Sequence, residues 1–170
     1  MKTNKFTQLA TSLIVASVIS MSGFANANID RSYYLKGDKI AGSNIRSIDA
    51  VSKIPFNKSY NDLSADQKQT LHSQFEGLSA SDTPPFPRQG LRKLFQPIVK
   101  ASKAIAATGS LRLHATVNAN GFVESVKVID SPDVKLSVIA ERVLLNTRFD
   151  PARCNGVACE MTFPFEAHFK

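Results

Sequence analysis

"LRLHATVNANGFVESVKVID", Leu111–Asp130, is where the chain settles into a two-residue period, and the architecture follows from how it is read. Leu111, Leu113, Ala115 and Val117 alternate with Arg112, His114, Thr116 and Asn118, the repeat of a strand buried on one face. Asn118-Ala119-Asn120-Gly121 brings the turn chemistry of a hairpin. The return strand points Val126 and Val128 inward and Ser125 and Lys127 outward, and Ile129 breaks that parity at its end. An antiparallel pair is predicted.

"SPDVKLSVIAERVLLNTRF" follows, with Ser131 as a helix cap and Pro132 at the first helical position. Leu136, Ile139, Ala140, Val143 and Leu144 recur at helical spacing and form a core-facing stripe. Phe149 and Pro151 mark the exit. The closing stretch "CEMTFPFEAHFK" alternates again, with Met161, Phe163, Phe165, Ala167 and Phe169 on one side and Thr162, Pro164, Glu166 and His168 on the other. A helix between strands two and three lets the last strand run antiparallel beside the first. The predicted fold is α+β: a small three-stranded antiparallel sheet, order second-first-third, packed on a helix. The last strand is then an edge, and Pro164 agrees, because a strand proline needs its nitrogen turned away from the ladder.

Upstream the reading is coarser. "SADQ" at Ser64–Gln67 is a capping box, and Leu71, Phe75 and Leu78 give a narrow stripe ending near Gly77. Pro84, Pro85 and Pro87 force an extended lead-in. From Arg88 a short helix is expected, with Leu91, Leu94 and Phe95 on one face and Arg88, Arg92 and Lys93 on another. Pro97 should break or kink it, with Ile98–Ala107 forming a second short helix. Asn28–Asn61 reads as an extended arm with a docked strand near Ile48–Phe56. The division expected is thus 1–27 leader, 28–61 arm, 62–108 helical segment and 109–170 sheet domain.

The leader reading rests on Lys2 and Lys5, an apolar Leu9–Phe24 and the small residues Ala25 and Ala27 at a cleavage site. Its 16 apolar-rich residues would span about 24 Å as a helix, short of the roughly 30 Å of a bilayer core. Cleavage takes the formal charge from +7 to +5, and no stable membrane insertion is expected afterwards. For an exported chain, nucleic acid is a poor partner for that charge; acidic wall polymers, lipid headgroups or acidic protein patches suit it better, beside its plain role in solubility. Export also bears on Cys154 and Cys159, the two cysteines, which flank an Asn-Gly turn. A structural disulfide is expected. Zinc would need about four ligands, and the spacing is not Cys-x-x-Cys. A closed loop this short contributes about 2 kcal/mol.

This order of motifs resembles the carboxy-terminal domain of the TonB family of energy transducers. The residues that carry the likeness are Leu111–Val117, Gly121, Val123-Glu124-Ser125-Val126-Lys127-Val128, Ser131, the helix through Leu145, Phe149-Asp150-Pro151-Ala152, Gly156 and Met161–Phe169, with Pro84–Pro87 as a similar lead-in. It covers roughly residues 84–170. Energizing members keep a membrane anchor and a long proline-rich spacer. Here Met1–Ala27 looks cleavable and Asn28–Asn61 is neither long nor proline-rich, so the resemblance implies fold and binding mode rather than force transmission.

Together these readings predict a periplasmic protein-binding module. An extended segment of an envelope protein, such as an outer-membrane transporter, or a second copy of the chain, would add to the edge at Thr162, Glu166, Ala167 and His168. Arg88, Arg92 and Lys93 form a basic contact face. A tethered transducer with the leader retained is the alternative, as is a wall-binding protein gripping acidic polymer through those residues with Lys100 and Lys103. Neither catalysis nor a cofactor is expected. His114 and His168, with Glu166, share outward parity on adjacent strands, which reads as solvated surface before it reads as a weak metal site.

Overall fold

The computed structural model describes residues 32–39, 41–42 and 46–169. The leader with Ala25 and Ala27, and the start of the arm, lie outside the described residues. In chain order the elements are β1 (Tyr33–Lys39), β2 (Arg46–Ser52), α1 (Ala65–His72), β3 (Phe86–Pro87), α2 (Arg92–Ala104), β4 (Gly109–Val117), β5 (Val123–Asp130), α3 (Val134–Leu145), β6 (Phe149–Asp150), β7 (Ala152–Cys154), β8 (Val157–Cys159) and β9 (Met161–Phe169).

β4 is the middle of a three-stranded antiparallel sheet in the order β5-β4-β9, as the alternation predicts. Its inward residues Leu111, Leu113, Ala115 and Val117 are fully buried. α2 and α3 supply Leu94, Ile98, Leu136, Ala140 and Leu144 to the same core. Phe95 meets Phe165 at 4.9 Å between ring centres, and Phe149 meets Phe163 at 5.0 Å. Burying each such leucine or phenylalanine contributes about 1.5–3 kcal/mol. The other face of the sheet, with Arg112, His114, Lys127, Glu166 and His168, stays exposed.

The β4–β5 turn follows its sequence closely. Asn118 Oδ1 accepts hydrogen bonds from the backbone N–H groups of Asn120 and Phe122. Gly121 has φ +79° and lies against the Phe149 backbone, where an added Cβ would sit 2.1 Å from the carbonyl oxygen. Only glycine fits both conditions.

Five details differ from expectation. The arm contains a hairpin, β1 paired antiparallel with β2, rather than one docked strand. Its Leu35 joins the same core as the sheet, so one core runs from the arm to β9. α1 is capped by Ser64 through the full capping box but stops at His72, well before Gly77; Ser73 Oγ donates to the Thr70 carbonyl and closes it. α2 is a single helix with Pro97 inside it. The buried row Leu94, Ile98 and Ser102 continues past the proline, and that packing holds the two halves together. α3 is capped by Asp133, not Ser131: Asp133 Oδ1 accepts from the N–H groups of Lys135 at 2.7 Å and Leu136 at 3.2 Å. Ser131 instead donates to the Asp133 carbonyl, bracing the cap. Finally, Val128 pairs with the inward Leu113 yet remains 43% exposed, because β5 is itself an edge. The register slips by one there, and Ile129 is the bulged residue.

The proline-rich lead-in has a role the sequence did not disclose. Phe86 and Pro87 pair with Asp150 and Phe149, and Thr83 exchanges two backbone hydrogen bonds of 2.9 Å with Arg153. The segment just before β9 is thereby tied to the segment just before α2.

Candidate functional site

β9 pairs with β4 over nine consecutive residues, from Gly109↔Phe169 to Val117↔Met161, with no slip. Among the described residues it has no strand partner on its other side. The register passes unbroken through His114↔Pro164. A proline permits that only where its nitrogen faces away from the ladder. By the alternation of an antiparallel pair, Thr162, Glu166 and His168 then share its orientation and turn their N–H and C=O groups outward. Ala167, of opposite parity, directs its peptide groups to β4 and its half-buried side chain toward the core. The four expected edge residues are therefore on one strand, three as backbone partners and one as packing.

β5 is the sheet's other edge, but its ladder with β4 slips twice. Bulges twist an edge away from incoming strands. β9 is the regular one.

The outer side of β9 does not open straight to solvent at its carboxy-terminal end. There it faces a groove of about 900 Å³. Glu166–Phe169 form one wall, Asp49, Ala50 and Val51 of β2 contribute another, and Phe95 and Val99 of α2 lie between. Lys103 of α2 pairs with Asp49, pinning β2 in place. His168 Nδ1 lies 3.1 Å from Ser110 Oγ, which orients the ring on the exposed face. The sequence reading placed a docked strand near Ile48–Phe56, which overlaps β2, but missed its pairing with β1 and its place as a groove wall; the signal for the pair was the short apolar runs on either side of Gly42.

The start of β9 is braced. Cys154 and Cys159 are disulfide-bonded with Cα atoms 5.8 Å apart, across the β7–β8 hairpin. Asn155 and Gly156 have φ +51° and +82°, the two positive values of the tight turn that matches strand twist. The Asn155 N–H donates to Asp82 Oδ1 at 2.8 Å, anchoring the tip.

The histidine grouping does not form. His114 lies opposite Pro164 and His168 opposite Ser110, four residues apart along the strands, or about 13 Å. The basic face is divided too. Arg88 and Lys93 border a second groove, whereas Arg92 lies outside it with its guanidinium directed at Gln96. Among the described residues, no helix is long and apolar enough to cross a membrane.

Compared with known protein families and with curated proteins, the sequence finds no match.

Proposed function

We propose that this chain is a binding module of the cell envelope that captures an extended polypeptide by strand addition along the outer edge of β9. The observation that carries the reading is the nine-residue β9, regular in register, paired on one side and, among the described residues, unpaired on the other. Backbone bonds at Thr162, Glu166 and His168 would supply affinity, and side chains of the guest entering the groove beside β2 would supply selectivity. Pro164 withholds one donor at the middle of the edge, so pairing concentrates toward the Glu166–His168 end, where the groove lies.

In the main sheet and its helix the chain runs β4, β5, α3 and, after the short β6, β7 and β8, β9, the β-β-α-β order expected from the TonB-type resemblance. On that ground the proposed guest is a periplasm-facing segment of an envelope protein, and the proposed location is the periplasm. The disulfide fits an oxidising compartment.

The test is a titration of ¹⁵N-labelled protein with extended peptides from periplasm-facing termini of outer-membrane transporters. Amide shifts at Thr162, Glu166, Ala167 and His168, with companions at Ala50 and Val51, are expected. Shifts confined to loops, with Thr162–Phe169 silent, defeat the reading.

A further inference from the structure

A second concavity, of about 820 Å³, lies between the amino-terminal end of α2 and the carboxy-terminal end of α3, at the opposite end of α2 from the β9 groove. Pro87, Ile139 and Val143 give it aliphatic surface. Arg88, Lys93, Arg142 and Arg148 stand around it, and among the described residues no carboxylate lines it. Sequence reading found the first two of these cations; the fold adds the other two from α3 and the turn after it.

The charges are positioned rather than scattered. The Arg88 N–H donates to the Arg148 carbonyl at 3.0 Å, which sets these two residues side by side. Arg148 lays its guanidinium over the Phe122 ring, 3.1 Å from its centre. Asp150 offsets Arg88, at 3.1 Å, from outside the groove. Lys93 and Arg142 have no acidic partner among the described residues. Several cations gathered in a concave site focus positive potential and favour an anion there.

We propose that this groove binds an acidic peptide segment, with carboxylates on either side of an aliphatic side chain. The size is that of a ligand site rather than a flat contact. A sugar polymer or base would find no aromatic ring among the lining residues to stack on. A short peptide satisfies both parts: its carboxylates meet Lys93 and the arginines, and its aliphatic side chain meets Ile139 and Val143.

The probe is the blocked tetrapeptide acetyl-Glu-Leu-Glu-Glu-amide, with acetyl-Gln-Leu-Gln-Gln-amide as its neutral twin, titrated into the intact ¹⁵N-labelled protein. The acidic peptide should shift the amides of Gly90, Ile139, Asn146 and Thr147 and leave Thr162–Phe169 unmoved. The neutral twin should bind at least about tenfold more weakly, and the difference should shrink as salt rises. Lys93→Glu with Arg142→Glu should weaken the acidic peptide by about tenfold, while Arg92→Glu, on the same helix outside the groove, changes it less than about twofold. Should the double reversal disturb folding, Arg142→Gln alone, with an unchanged melting curve, must still weaken binding. Equal affinity for the two peptides overturns the proposal, as does indifference to the groove variants. So does binding of phosphatidylglycerol vesicles that depends on the same residues at least as strongly. Because its readout lies beside the start of α2 and along the end of α3 rather than on β9, this outcome is independent of what happens at β9.

Discussion

Gly121 ties the β4–β5 turn to the segment after α3. Its carbonyl accepts from the Phe149 N–H at 3.0 Å while its Cα faces the Phe149 carbonyl. Gly121→Ala must strain a positive φ and push that backbone away, and we expect a loss of at least about 2 kcal/mol by urea unfolding. The disulfide acts more mildly: Cys154→Ser with Cys159→Ser should lower stability by about 2 kcal/mol and leave the β4–β9 amide pattern intact. Asp62 offers a pH signature. The Ser59 hydroxyl donates to its Oδ2 at 2.6 Å and holds its carboxyl below the usual range, with the Ser59 backbone bond adding to the effect. The folded value is depressed, so this contribution is fully present above the ordinary carboxylate pKa and is lost as pH falls through the folded value. Ser59→Ala should return the Asp62 titration, followed by carboxyl ¹³C shifts, toward its ordinary range.

The strands were legible because one face is buried along their whole length, which makes a two-residue period unambiguous in β4 and β9. The edge character of β9 was legible from Pro164 and from connectivity alone. α2 was not, because two signals conflict: a proline argues for a break, and the row Leu94, Ile98 and Ser102 argues for continuity. Packing decides, at a cost. An exposed interior proline is worth about 3 kcal/mol less than alanine in a helix, offset by roughly 1 kcal/mol of unfolded-state entropy. Pro97→Ala should therefore stabilise the protein by about 1–2 kcal/mol in thermal or urea unfolding. Pro164 works in the other direction. Pro164→Val would give the free edge its missing donor, and we expect more self-association by sedimentation than the parent shows at the same concentration.

The molecule as a whole is a gradient of commitment. β4 is held on both sides by strands and beneath by two helices, with its inward side chains fully buried. The β1–β2 hairpin is joined to the rest by Leu35 in the core with Tyr33 and Ala50 packed against it, the Lys103–Asp49 pair and a hydrogen bond from Gln67 to Tyr33, and among the described residues by no strand ladder to the main sheet. These contacts are distant in sequence, so although short apolar runs on either side of Gly42 mark the two strands, the groove they complete could not be read before folding brought them together. The groove wall is accordingly expected to open more readily than the sheet. Native-state hydrogen exchange should show β1–β2 amides exchanging at least about tenfold faster than those of Leu111–Val117, through an opening that leaves the sheet intact. Lys103→Ala should accelerate exchange in Ala50 and Val51 without changing the rates in β4. If instead the hairpin and β4 exchange through one common event, β2 belongs to the rigid frame of the groove, and a guest strand would meet a fixed slot rather than a wall that yields.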